Sequence, residues 1–392
     1  MKLSIVMPCL NESRTLSACI GRAKELIETN NIEGEILVSD NGSTDGSQEL
    51  AETLGARVVH CPTLGYGAAL QYGIEHANGE YIIMGDSDDS YHFDEAYPML
   101  QKLEQGFDVC MGTRLKGTIM PGAMPRLNRL IGNPILTFIG RRLFDIDISD
   151  FHCGMRAFKR EMILGMGLVS TGMEWASEQV IKSKLNGLKI TEVPITLHKD
   201  GRGRPPHLRR WRDGWRHLRF MLLYAPTWLF IYPGLALVIT ASLLGMLLLR
   251  GPVHVGAANL DVHTLLTMAF LAILGIQTIF TGLFAILYAR IIGILPIKAA
   301  FVERLRKLTL ERLLVVSLAI GLTGITIFLV TFWDWYAAGF PELDYRVTMR
   351  RVIPALTLIT ISGQALFNGF MLSVLFLKTK GTAGSKISET FT

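Results

Sequence analysis

Four stretches of the 392-residue chain contain no Asp, Glu, Lys or Arg: residues 224–249, 264–289, 313–333 and 352–377. Each is long enough to cross a hydrocarbon core as a helix, which takes about 20 apolar residues. Core helices of soluble proteins are rarely so long and so uncharged, so membrane spans are expected, with buried core helices the minor alternative. Cysteine is scarce: Cys9, Cys19, Cys61, Cys110 and Cys153 all fall in the first half, without a Cys-x-x-Cys pair. That excludes a zinc-ribbon spacing and argues against a disulfide framework, and predicts reduced thiols filling the core of a cytoplasmic domain. The opening Met1-Lys-Leu-Ser-Ile-Val-Met-Pro8 lacks the apolar run of a signal peptide, so the first half is expected to stay in the cytoplasm. The full Gly-x-Gly-x-x-Gly dinucleotide fingerprint is missing. With a net charge of only +5 there is no separate nucleic-acid patch; a modest basic excess suits a chain resting on anionic lipid.

Basic residues between the apolar stretches predict their orientation. The linker joining the second and third carries Arg290, Lys298, Arg304, Arg306, Lys307 and Arg312, a cytoplasmic signature, whereas residues 250–263 hold only Arg250. Arg346, Arg350 and Arg351 in the last linker are diluted by Asp334, Glu342 and Asp344, and the tail carries Lys378, Lys380 and Lys386. Four spans with both termini inside fit this pattern. The expected organisation is a cytoplasmic domain over residues 1–206, a juxtamembrane helix over 207–223, a membrane domain over 224–380 and a cytoplasmic tail over 381–392.

Strand-like runs at residues 3–7, 35–39, 57–60, 81–84 and 107–111 alternate with helical periodicity at 13–29, 47–54, 66–77 and 93–105. Such alternation predicts a mostly parallel sheet with helices on both faces. The run at 81–84 ends in Gly85 and then in Asp86, Asp88 and Asp89. Ligands of open α/β sheets sit at strand ends, and an acidic cluster there is costly without a cation. Mg²⁺ takes one or two carboxylates and completes its shell with water and substrate phosphates. Asp86-x-Asp88 therefore reads as Mg²⁺ or Mn²⁺ holding a diphosphate, a solvated acidic turn being the plainer alternative. Asp40 ends its strand in the same way, as a nucleobase or ribose contact or as the anchor of an Asx turn. Gly65-Tyr-Gly67 allows close backbone approach to a ligand.

Taken in order, Pro8-x-x-Asn11-Glu12, Asp40-Asn-Gly-Ser-Thr-Asp-Gly46, Gly65-x-Gly-x-Ala68, Asp86-x-Asp88, Gly112-Thr-Arg114, Asp150-Phe-His-Cys-Gly-Met-Arg156, Met173-Glu-Trp-Ala-Ser-Glu178 and Glu192-Val-Pro-Ile195 resemble the motifs of family 2 glycosyltransferases. The likeness spans roughly residues 1–225. With membrane helices behind it, the chain is most similar to the polyprenyl-phosphate group, the dolichyl-phosphate mannose and glucose synthases. The resemblance implies a GT-A catalytic domain, Rossmann-like with a mostly parallel sheet, followed by an α-helical transmembrane domain. It implies a nucleotide-sugar site formed by Pro8, Asn11, Glu12, Asp40, Gly65, Gly67, Asp86 and Ser87, with the metal on Asp86 and Asp88. Asp150 corresponds to an acidic residue on the acceptor side, a positioning group or a weak base. Two positions depart from the family: Asn41 stands where relatives commonly have a second Asp, and Ser90 where they often have Gln.

Two basic amphipathic segments flank this core. In residues 118–145, Arg126, Arg129, Arg141 and Arg142 interleave with Leu127, Leu130, Ile131, Ile135 and Phe138, the composition of a segment lying in the headgroup plane. Ahead of the first span, Trp211, Trp215, Leu218 and Leu222 form one helical stripe and Arg209, Arg212, Arg216 and Arg219 another, serving as interfacial anchor or as guide for a lipid phosphate. Arg114, Arg156, Arg202 and Arg204 are the candidates for direct acceptor-phosphate contact, since guanidinium offers a planar fork of donors. Lys199-Asp-Gly-Arg-Gly-Arg-Pro-Pro206 is composed as a lid or as an ordinary juxtamembrane loop.

Asp88, Asp150 and Arg114 are the expected catalytic residues; Glu178 is either a sugar contact or a buried helix residue. The expected reaction is inverting transfer of glucose from UDP-glucose, with mannose from GDP-mannose next, to a polyprenyl phosphate at the cytoplasmic membrane face. Self-association is left open. A processive polysaccharide synthase is the first alternative, but the nearest match to its Gln-x-x-Arg-Trp signature is His207-Leu-Arg-Arg-Trp211. A non-catalytic lipid-binding or flippase protein is the second, and it leaves the acidic strand ends unexplained.

Overall fold

The computed structural model describes residues 1–203, 210–296 and 309–375. Arg204 and Arg209, and the basic residues 298–307 and 378–386, lie outside them; so do the side chains of Arg210 and Trp211. The chain divides into two compact units, Met1–Met221 and Leu222–Thr392.

Seven strands build the first unit: β1 (Leu3–Cys9), β2 (Gly34–Asp40), β3 (Arg57–His60), β4 (Tyr81–Met84), β5 (Val109–Ile119), β6 (Arg156–Lys159) and β7 (Ile190–Leu197). Their order is β3-β2-β1-β4-β6-β5-β7. Pairs β1–β2, β2–β3, β1–β4 and β5–β7 are parallel, and β6 runs antiparallel to both its neighbours. Every residue of β1 is buried, as expected of a central strand covered on both faces. From β1 the chain turns first toward β2 and β3, then crosses back to β4, so the topological switch point lies between β1 and β4. A crevice opens outside the strand ends at such a point.

The helices follow the periodicity with two physical exceptions. Helix α1 (Leu16–Thr29) starts later than residue 13, because Thr15 is held in a turn by its Oγ1, which donates to the Ser87 carbonyl at 2.7 Å. The helix expected over 93–105 is a 3-10 turn, Phe93–Ala96, followed by α4 (Tyr97–Glu104), which has a proline in its first turn, where a missing N–H costs nothing. Helices α2 (Ser47–Thr53), α3 (Tyr66–His76), α5 (Asn133–Phe144), α6 (Arg160–Gly165) and α7 (Trp175–Leu185) complete the layers. On α5, Gly140 rests against the Phe151 ring, while Leu130 in the preceding turn and Phe138 remain 71% and 68% exposed.

Helix α8 (Arg210–Leu223) turns a third face inward: among its described side chains Asp213, His217 and Met221, four apart, are buried, and Trp215 of the expected interfacial stripe is 57% exposed. The inward face is polar because it meets other polar groups: Ser177 Oγ lies 2.8 Å from His217 Nδ1, and the His152 ring packs edge-on against His217.

Among its described residues the second unit holds four helices long and apolar enough to cross a membrane: α9 (Tyr232–Arg250, entered through Thr227–Ile231), α10 (Val262–Ile291), α11 (Leu310–Ala337) and α12 (Tyr345–Leu375). Small residues seat them: Gly234 and Gly275 face each other, and Gly324 faces the Ala355 carbonyl, the close approach that membrane helices use in place of a hydrophobic drive. Ser362 donates to the Ser317 carbonyl at 2.7 Å and Asn368 Nδ2 to Gln277 Oε1 at 3.2 Å.

Candidate active site

Three strand ends meet at the switch point. Cys9 pairs with Asp40 across β1 and β2, and Val6 with Met84 across β1 and β4. The Asp40 carboxylate accepts from the Gly42 N–H at 2.9 Å, the Ser43 N–H at 3.1 Å and Gln48 Nε2 at 2.6 Å. Its oxygens thus hold the 40–46 loop, the Asx-turn alternative. The loop in turn holds the end of β1: the Asn11 N–H donates to Ser43 Oγ at 2.8 Å, Asn11 Oδ1 accepts from the Thr44 N–H at 2.8 Å, and the Glu12 N–H donates to Ser47 Oγ at 3.0 Å. Pro8 enters through its carbonyl, which accepts from Ser87 Oγ at 2.7 Å. Pro8, Asn11, Glu12, Asp40 and Ser87 are therefore brought together as one hydrogen-bonded floor.

Asp86 and Asp88 rise from that floor. Tyr66 Oη donates to Asp86 Oδ1 at 2.9 Å. Burial lifts the Asp86 carboxyl above its ordinary range, although Tyr66 and the guanidiniums of Arg202, Arg114 and Arg156 pull the other way. Asp88 is buried; its Oδ1 accepts from the Ser90 N–H at 3.0 Å and from Ser90 Oγ, and its Oδ2 accepts from Arg202 Nη2. Arg202 Nη1 stands 3.5 Å from Glu12 Oε1. The carboxylate set thus already draws a cation, and its hard oxygens suit Mg²⁺ or Mn²⁺. Ser90 spends its hydroxyl on Asp88. Asp89, at φ +63°, faces away and pairs with Arg22 at 3.1 Å. Segment 198–203 lies along the acidic motif, the His198 N–H donating to the Ser90 carbonyl at 2.9 Å and the Gly201 N–H to the Asp88 carbonyl at 3.0 Å.

Arg114 and Asp150 form a bidentate pair, Nε to Oδ2 at 2.6 Å and Nη2 to Oδ1 at 2.8 Å, and the Arg114 N–H also donates to Oδ2 at 3.1 Å. Asp150 is fully buried. Burial alone would raise its carboxyl, but the Arg114 guanidinium overcomes that and holds it below the usual carboxylate range. A carboxylate with both oxygens committed is a poor base; Asp150 positions Arg114. The remaining Arg114 nitrogen, Nη1, has the Tyr91 hydroxyl at a long 3.4 Å. Arg156 departs from the expected phosphate contact. It is fully buried, and its nitrogens go to the Cys153 carbonyl at 2.9 Å, the Ala176 carbonyl at 2.6 Å and Gln179 Oε1 at 2.7 Å. Its role is to bind the 150–156 loop to α7.

Gly65 and Gly67 also approach protein rather than open space. A Cβ on Gly65, at φ +142°, would lie 2.2 Å from the Thr171 carbonyl oxygen, and one on Gly67 2.5 Å from the Trp175 Cβ. The 169–171 segment is fixed from behind by Glu178, a buried helix residue that accepts from the Val169 and Ser170 N–H groups at 3.1 and 2.8 Å and pairs with Lys182 at 2.8 Å. Asn41, which sequence reasoning set aside, links the loops: its Oδ1 accepts from the Gly65 N–H at 2.7 Å and its Nδ2 donates to the Thr63 carbonyl at 2.8 Å. Tyr66 and Tyr91 were also missed; their adjacency to the Gly-x-Gly and acidic motifs was the available signal.

A mostly parallel sheet with acidic residues at its switch point, continued by four apolar helices, defines a membrane protein with a GT-A catalytic domain. Comparison with known proteins agrees. Residues 4–165 match Glycosyl transferase family 2, and residues 283–376 match the glycosyltransferase family 2 C-terminal transmembrane region. The low-salt glycan biosynthesis hexosyltransferase Agl6 of Haloferax volcanii is 36% identical over 382 residues, covering 95% of this chain and 89% of that protein. A dolichyl-phosphate hexose transferase of the same organism is 30% identical over 195 residues, covering 49% of this chain and 81% of its own. Glucosyl-3-phosphoglycerate synthase from Mycobacterium tuberculosis, solved with Mn²⁺, UDP and glucosyl-3-phosphoglycerate, is 23% identical, covers 56% of this chain and 78% of its own, and has a TM-score of 0.45. The chain belongs to glycosyltransferase family 2.

Proposed function

We propose that this glycosyltransferase moves a hexose, glucose before mannose, from a nucleoside diphosphate sugar to a polyprenyl phosphate at the cytoplasmic membrane face. The observation that carries the reading is the pairing of Asp86 and Asp88 at the switch point with a guanidinium already seated on Asp88. The names of the two Haloferax relatives support hexose as cargo and, for the shorter one, dolichyl phosphate as acceptor. The outward apolar face of Leu130 and Phe138 supports a domain that rests on lipid.

Asp86 and Asp88 would hold Mg²⁺ or Mn²⁺, which when bound neutralises the leaving nucleoside diphosphate. The floor of Pro8, Asn11, Glu12, Asp40 and Ser87 shapes the nucleotide side, and Asn41 and Glu178 fix the walls. Arg202, seated on Asp88, would serve the diphosphate when the carboxylates hold the metal, and Arg204, outside the described residues, is assigned to the same task from its sequence alone. Arg114, aligned by Asp150, presents Nη1 toward the acceptor phosphate. That phosphate has a second pKa of about 6 by analogy with phosphoserine, so it arrives as a dianion and needs no general base. Its oxygen attacks the anomeric carbon as the bond to the diphosphate breaks, the electron pair leaving on the diphosphate, with inversion at the sugar and no proton transferred. The chain's contribution is alignment and fixed charge.

Membranes containing the protein, given radiolabelled UDP-glucose or GDP-mannose in parallel, test the reading. Acid-labile label in the organic phase from one donor supports it and names the sugar; long water-soluble polymer would favour a processive synthase.

A further inference from the structure

Among the described residues, one group of metal-ligating side chains converges beyond the acidic strand end. His92, Glu95 and His198 place their ligand atoms within 4.8 Å of one another. His92 and Glu95 flank the start of the Phe93–Ala96 turn, whereas His198 directly follows β7, so two remote segments supply the set. The imidazoles lie face to face, ring centroids 3.4 Å apart and planes 8° from parallel. His198 Nε2 is shielded from solvent without a hydrogen-bond partner and points at Glu95 Oε1 from 3.6 Å. A buried nitrogen left unpaired is costly, and a bound cation would satisfy it. His92 Nε2 is 3.9 Å from Asp89 Oδ1, and Asp89 and Asp94 both pair with Arg22, at 3.1 and 3.9 Å.

We propose that His92, Glu95 and His198 form a transition-metal site, separate from the carboxylates that suit Mg²⁺ or Mn²⁺, with Zn²⁺ the ion its donors fit. Imidazole nitrogen selects zinc-like ions, whereas magnesium stays with carboxylate and water. Two His and one Glu make a three-ligand set that leaves a fourth position for water. Tetrahedral bonds of about 2.0–2.1 Å put ligand atoms about 3.3 Å apart, near the 3.6 Å already between His198 Nε2 and Glu95 Oε1; the adjustment falls on the stacked rings, one of which must turn so that both imidazoles aim a nitrogen at the ion.

The ion would tie the end of β7 to the acidic motif. His198 lies four residues before Arg202, so zinc would pin the base of the segment that carries Arg202 onto Asp88. The proposal does not depend on the sugar or the acceptor.

The test is titration of the purified full-length chain with Zn²⁺ by calorimetry, in excess Mg²⁺ to occupy the strand-end carboxylates. The wild type is expected to bind one Zn²⁺ per chain. His92→Gln and His198→Gln are expected to bind at least ten-fold more weakly, and Asp88→Asn as the wild type does. A visible ligand-field band on Co²⁺ loading, lost in Glu95→Gln, checks the third ligand in a variant that keeps both rings. Equal zinc affinity in the wild type and both histidine variants, no saturable binding by the wild type, or binding lost only in Asp88→Asn would each overturn the proposal.

Discussion

Arg202 Nη2 donates to Asp88 Oδ2 while its Nη1 stands 3.5 Å from Glu12 Oε1, so one guanidinium bridges the ends of β1 and β4. A cation that shares oxygens with an incoming ion competes with it. Arg202→Ala should therefore raise Mn²⁺ affinity in the absence of nucleotide by about ten-fold, the ~1.4 kcal/mol scale of one charge-assisted contact, while turnover falls. Electron paramagnetic resonance of free Mn²⁺ measures the first. Weaker Mn²⁺ binding in the variant would show that Arg202 supports the ion instead of standing in for it.

The Arg114–Asp150 pair is buried and bidentate. Asp150→Asn leaves a buried guanidinium without its counter-charge, a loss of about 3–5 kcal/mol. The double variant Asp150→Asn/Arg114→Met should recover part of the melting temperature and none of the activity. A single variant as stable as the wild type would contradict the pairing.

Burial lowers the His217 imidazole to about 4, against the pull of Asp213 and Glu174, and Arg156 lowers it further. The His152 ring packed against it is likewise pushed well below its ordinary range, burial first and His217 next. Below about pH 6.5 the unfolded chain takes up protons that the folded one refuses, so stability falls as pH drops from there toward 4. For His217 alone this is about 3 kcal/mol across the window. Melting temperatures at pH 7.5 and 5 should differ less in His217→Gln than in the wild type; an equal or larger fall in the variant would contradict the assignment.

Glycines separate by what lies beside them. Gly67→Ala drives a methyl into Trp175 and the Gly172 and Ser170 carbonyls, overpacking worth about 1–3 kcal/mol or more. Gly21→Ala, inside α1 with nothing within 4 Å, should stabilise by about 0.5–1 kcal/mol. Chemical denaturation of the two variants checks the contrast in sign.

The strands at 57–60 and 81–84 were legible to the residue because short apolar runs ended in turn residues. The four apolar helices were legible because charge is absent from them. What stayed hidden depends on pairs remote in sequence. Arg156 carries the same letters as a phosphate-binding arginine, yet its position on β6 aims it at the Ala176 carbonyl and Gln179. On helix α8 the polar face buried against Ser177 and His152 was not legible, because its partners are remote in sequence. Asp40 also anchors its own loop, whose N–H groups converge on its Oδ2, a role set by the fold of that loop. Asn41 was passed over as a departure from the family pattern, although it joins two loops of the site.

The most direct test of lipid phosphate as acceptor is the release of nucleoside diphosphate by purified wild type and Asp88→Asn, with and without polyprenyl phosphate. Wild-type release that requires the lipid, matches glycolipid formed one for one and disappears in Asp88→Asn is the predicted result. Release at the same rate without lipid, or unchanged in Asp88→Asn, would contradict the account.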